Sequence, residues 1–179
     1  MFRTLTAFVL VAMATSGGRA TGHARDPWPE LKKLDYFAGD WSQVGDEKAG
    51  PWGPGGRVTM HDHGVWMEGG YFIVIHSTWT GLNSQGTGIE FLGYDPIAKV
   101  YTYDEFYSQG EAVHSKGRVD GDTWTWDMND VKRGSQMVKA RQVYKIMSPT
   151  MYTFRVEISA DSGATWTLEM DGTARKNAP

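Results

Sequence analysis

What most constrains this chain is a succession of short alternating segments, with no helical block between them, running from residue 41 to residue 175. The segments are 41–45, 57–63, 65–79, 87–94, 100–107, 112–119, 123–128, 136–147, 151–158 and 165–175. Branched and aromatic residues fill them, and turn-forming residues separate them, as in strands joined by tight connections. Trp124, Trp126 and Met128 alternate with Thr123, Thr125 and Asp127. Tyr152, Phe154, Val156 and Ile158 alternate with Thr153, Arg155 and Glu157, and Trp166, Leu168 and Met170 alternate with Thr165, Thr167 and Glu169. A period of two sends one face to a core and the other to water. Asp120-Gly121 supplies the positive φ of a hairpin turn, and Tyr94-Asp95-Pro96 marks another connection. Gly69-Gly70 interrupts the longest segment as a bulge or sharp bend, and residues 71–75 are apolar on both faces, so their inward parity stays open. A meander of about ten strands has exposed edges unless it closes. The predicted fold is therefore all-β: an antiparallel up-and-down barrel of about ten strands.

Ahead of the strands, Pro29 to Phe37 suits a short helix, because proline is tolerated in a first turn and Leu31 and Leu34 share a face. Residues 21–29 read as a linker and 30–176 as the barrel domain. Residues 1–20 read as a signal peptide: Arg3 is followed by a short apolar run over 5–14 and then by small residues. Cleavage after Ala14, Ala20 or Ala24 fits, and a retained helix is the alternative. With no cysteine in the chain there is no disulfide, no thiol nucleophile and no lipoprotein anchor. Export without cysteine suits a bacterial periplasm or exterior, with no stable membrane anchor. A formal charge of −3 and no Lys/Arg run argue against nucleic acid as a partner.

Phe37-Ala38-Gly39-Asp40-Trp41 resembles the Gly-x-Trp signature of lipocalin and calycin barrels. The resemblance implies that Gly39 turns the chain out of the helix and Trp41 plugs one barrel end. It also implies that a basic residue of the last strand, here Arg175, stacks on that indole. Gly69-Gly70, Leu92-Gly93-Tyr94-Asp95 and the closing stretch 159–172 extend the likeness. Over about residues 31–175 the chain resembles a bacterial family, domain of unknown function 1579, related to nitrobindin-like and fatty-acid-binding-protein-like barrels. That implies a calycin-like barrel with an internal cavity and carries over no reaction. Nitrobindins hold haem through a histidine on a closing strand. Here no histidine follows His114, so neither haem nor another cofactor is expected. Residues 159–166 also match an Asp-box, Ser-x-Asp-x-Gly-x-Thr-Trp, read as a structural turn because it occurs once in a chain too short for a propeller.

Several polar residues fall in mid-strand, where a cavity would be lined. The ligand-binding candidates are His76, Glu90, Tyr101, Tyr103, Glu105, Tyr107, His114, Trp124 and Trp126. Glu105 shares a face with Tyr101, Tyr103 and Tyr107. If that face points inward, its pKa rises and it becomes a hydrogen-bond donor or an acid–base group; the ordinary alternative is a solvent-facing glutamate. His61 and His63 have the i, i+2 spacing of metal ligands and would need a third from His76, His114 or a carboxylate. A polar strand end facing water is the plainer reading, and no metal is expected. The abundant aromatics and methionines suit a hydrophobic or aromatic small molecule in the cavity. The function expected is thus an exported binding barrel. The alternative is a small enzyme using Glu105 or His76 as acid or base on a hydrophobic substrate, as an isomerase or cyclase would.

Overall fold

The computed structural model describes residues 28–178 except Trp52 and Asn83. The signal peptide, and the linker as far as residue 27, lie outside the described residues. A 3-10 helix, Pro29–Phe37, leads into eleven strands. These are β1 (Gly39–Glu47), β2 (Gly56–Trp66), β3 (Ile73–Thr80), β4 (Gln85–Asp95), β5 (Val100–Tyr107), β6 (Ala112–Asp120), β7 (Thr123–Met128), β8 (Val131–Arg133), β9 (Gln136–Ser148), β10 (Met151–Ser159) and β11 (Thr167–Lys176). Every pairing is antiparallel. β1 bonds both β2 and β11, and β10 bonds both β9 and β11, so ten strands close on themselves while β8 hangs on β9 as a side hairpin. Among the described residues no helix is long and apolar enough to cross a membrane.

The strands differ from the sequence reading by a short extra strand, β8, by a few residues at several ends, and most at one break. The break does not fall at Gly64, through which β2 runs unbroken. It falls at 67–72, where Met67 N–H bonds Phe72 O at 2.8 Å and Gly70 N–H bonds Met67 O at 3.0 Å. Gly69 and Gly70 have φ of +94° and +71°. The double glycine is therefore the sharp bend of a hairpin turn and not a bulge, and segment 65–79 is the end of one strand and all but the last residue of the next.

The helix turns Leu31, Leu34 and Phe37 into one end of the barrel and closes it. Gly39, at φ +100°, makes the sharp entry into β1. Trp41 is buried there, its ring 5.1 Å from Tyr152 and 5.2 Å from Tyr36. Phe37 meets Trp124 edge-on at 5.2 Å, and Trp124 stacks on Trp126 at 5.5 Å. Trp126 fits because Gly117 is its cross-strand partner. A Cβ on Gly117 would lie 2.3 Å from the indole, so only glycine leaves it room. The basic residue over Trp41 is not Arg175. Arg175 pairs with Ser42 and points to solvent. Lys176, the register partner of Trp41, puts its ammonium 5.3 Å from the ring centre and donates to Tyr36 O. Alternation decides this: the residue facing Trp41 across the ladder shares its inward face.

The Asp-box is a loop between β10 and β11. Asp161 accepts from Ser159 Oγ, Thr165 N–H and Thr165 Oγ1, and Ser159 Oγ accepts from Gly163 N–H. These bonds hold its carboxyl well below the ordinary range. Trp166 lies ahead of β11, beneath the Arg141 guanidinium at 4.0 Å, rather than on the inward face.

Candidate functional site

Above the aromatic floor the barrel is hollow. A cavity of about 350 Å³ opens between the end of β1 and the β3–β4 and β5–β6 turns, where Glu47, Ser84, Gln109 and Glu111 are exposed. A pocket of about 20 Å³ lies beneath it, against Trp41 and Trp126; both spaces touch Gln43, Asp62, Tyr103 and Tyr144. A broader depression of about 520 Å³ lies outside the barrel, between the helix and Trp66. The two most deeply buried acidic groups, Glu90 and Glu105, are in the inner cavity.

Three carboxylates project into that cavity. Glu90 of β4 and Glu105 of β5 are direct register partners, exposed by only 4% and 2%. Asp62 of β2, less deeply covered, joins them because β2 alternates: Val58, Met60 and Asp62 face in, while His61 and His63 face out. Tyr103 donates to Glu90 at 2.5 Å, and Tyr107 to Glu105 at 2.8 Å. Gln142 Nε2 donates to Glu105 at 3.2 Å, Gln43 donates to Asp62, and Tyr144 donates to Gln142. The Ser77 hydroxyl also faces Glu90, but without a hydrogen bond of good geometry.

Burial disfavours the charged form of each acid, and neighbouring like charges add to the effect. Glu105 is pushed up to about 8, first by burial and then by the charge of Glu90. Asp62 is pushed up to about 8 by the same two causes in the same order. Burial raises Glu90 as well, against the pull of Tyr103 and Ser77. Near neutral pH the trio therefore shares protons and titrates as a unit.

The sequence candidates fall into three groups. Glu90, Tyr103, Glu105 and Tyr107 line the cavity. Tyr101, Trp124 and Trp126 belong to the closed end: Tyr101 donates to Glu30 O and packs on Trp124 at 4.7 Å, and Trp126 touches only the small lower pocket. His76 and His114 are exposed on the outer face, so neither lines the cavity. His114 bonds Asp104 at 2.7 Å. His63 bonds Asp40 at 2.6 Å and His61 bonds Ser42, both outside, and no metal-holding group of three or more acidic or histidine ligands occurs among the described residues. Four of the five histidines thus point away from the interior, and His23 lies outside the described residues. The donor set of the cavity does not fit haem ligation by imidazole. Asp62, Gln43, Gln142 and Tyr144 were missed. For Asp62 the signal was present: it stands two residues from Met60 and four from Val58, opposite in parity to the two histidines.

A closed antiparallel barrel plugged by a helix and an N-terminal Trp, hollow and open at the other end, defines a calycin-like barrel. The chain belongs to the family described as Protein of unknown function (DUF1579), whose model matches residues 26–176. Among solved structures it is similar to the crystal structure of Rv2717c from M. tuberculosis, at 12% identity and a TM-score of 0.60 over 86% of this chain and 100% of that one. At that identity the likeness shows the fold. No functionally curated protein matches the chain.

Proposed function

We propose that this protein binds a small hydrophobic or aromatic molecule inside the barrel. The supporting observation is a cavity of about 350 Å³, at the small end of ligand pockets, with an apolar wall facing a set of convergent polar groups. Val58 and Met60 of β2, Phe154 and Val156 of β10 and Met170 of β11 form that wall. Saturable one-to-one binding of the neutral fluorophore N-phenyl-1-naphthylamine is expected, and Met60→Trp, which fills the space, should abolish it. No saturable binding, or binding indifferent to Met60→Trp, would sink the proposal. One observation favours an acid–base enzyme as the second reading: Glu105 is buried in the cavity with its pKa near neutrality. On that reading Glu105→Gln keeps the guest and loses turnover; His76, on the outer face, has no part in it.

We further propose that the protein is exported to the periplasm or beyond, on the strength of Arg3 and the apolar run over 5–14. Intact mass of the protein recovered from its host should show an N-terminus near Thr21 or Arg25. A mass retaining residues 1–20 would contradict export by cleavage.

A further inference from the structure

Resting on that reading of the cavity, we propose that the guest carries a protonated amine head, received among Asp62, Glu90 and Glu105, with an apolar or aromatic body behind it. Five carboxylates line the cavity, these three and Glu47 and Glu111 at its mouth, and among the described residues no Lys, Arg or His does. Elsewhere this chain meets its covered carboxylates with arginine: Arg141 bonds Glu157 and Arg133 bonds Glu169, each at 2.7 Å. The cavity trio departs from that practice. Two of its members stand directly opposite each other on neighbouring strands, where like charges repel. A cation entering the cavity would pair with carboxyl groups that no basic side chain of the cavity neutralises.

A second observation is independent of charge. Ser77 Oγ is buried, at 6% residue exposure, lines the same cavity beside Glu90 and makes no hydrogen bond of good geometry. An ammonium has three donors and no acceptor. Glu90, Glu105 and Asp62 keep lone pairs beyond those used by Tyr103, Tyr107, Gln142 and Gln43, and Ser77 adds a neutral acceptor. Every group converging on the head can therefore accept. No group of three or more ligands that could hold a metal ion occurs among the described residues, which favours an organic cation over a metal ion. An anionic head would meet no basic side chain in the cavity.

The test uses one body with three heads: 3-phenylpropylamine, 3-phenylpropan-1-ol and 3-phenylpropanoate, titrated calorimetrically into the purified protein. The amine is expected to bind one-to-one at least about ten-fold tighter than the alcohol, and the carboxylate to give no saturable heat. The double variant Glu90→Gln/Glu105→Gln should lose the preference for the amine over the alcohol. If that variant does not fold, Asp62→Asn carries the same comparison. Equal affinity for amine and alcohol, or a preference that survives the substitutions, overturns the amine head. So does the absence of saturable amine binding. In each case N-phenyl-1-naphthylamine shows whether the cavity reading stands without it.

Discussion

Raising the pH from 5 to 9 is expected to weaken the folded protein by on the order of 4 kcal/mol for each carboxyl whose pKa rises from near 4 to about 8. In the unfolded chain Asp62, Glu90 and Glu105 titrate near 4, the ordinary carboxyl range, to within about a unit. In the folded barrel burial raises all three, and the charge of Glu90 adds to it at Glu105 and Asp62, which are pushed up to about 8. Between those limits the folded state binds more protons than the unfolded one, so stability falls as pH rises. The contribution is fully present below the unfolded values and is lost as pH passes through about 8. Glu105→Gln, which keeps the shape and cannot ionise, should flatten the slope and be more stable than the parent at pH 9. Urea midpoints at pH 5, 7 and 9 for both proteins measure this. Stability that climbs toward pH 9, or an identical slope in the variant, would contradict the buried acid cluster.

The second large effect is at the closed end. Trp41→Ala should cost about 3–5 kcal/mol, as deletion of a large buried aromatic does. Trp41 is 3% exposed and wedged between Tyr36, Tyr152 and the Lys176 side chain. Its indole nitrogen has no hydrogen-bond partner, so the loss is one of packing and of the cation's contact with the ring, not of a hydrogen bond. Trp41→Phe, which keeps an aromatic plate, should cost less. A loss below about 1 kcal/mol for the alanine variant in chemical denaturation would mean that this end is not held by its plug.

The parts of this fold that could be read in the chain are those where side-chain size and polarity agree with parity. In β7 the two tryptophans alternate with threonines, and in β5 a glutamate shares parity with three tyrosines; both faces point as their apolar members demand. Parity failed where that agreement breaks down. In β3, Ile73, Val74 and Ile75 are apolar on both faces, and the structure puts His76 outside. In β6 the inward residues include the small Ser115 and Gly117, because the Trp126 ring occupies the space in front of Gly117. The larger His114, Lys116 and Arg118 on the outer face gave no apolar contrast. Asp62 was hidden for a related reason. Two histidines flanking an aspartate draw the eye to the outward face of β2, while the group that enters the cavity is the one between them. The Gly64 break was misplaced because a glycine in a strand resembles a punctuation mark, and the real turn needed positive φ at two consecutive residues, which Gly69 and Gly70 supply.

The aromatic floor has a kinetic corollary. With Phe37, Trp41 and Tyr152 sealing one end, whatever enters the barrel leaves by the way it came. Depth then sorts selectivity. Along β2 the inward positions run from Val58 near the mouth through Met60 to Asp62 beside the floor. A guest oriented with its polar end down would be interrogated strictly at that end and loosely at the other, since anything reaching past Glu47 and Glu111 is already in water. On the proposed function, such a vessel would be a specialist for one end of its guest and a generalist for the other, accepting a series of tails on a common head.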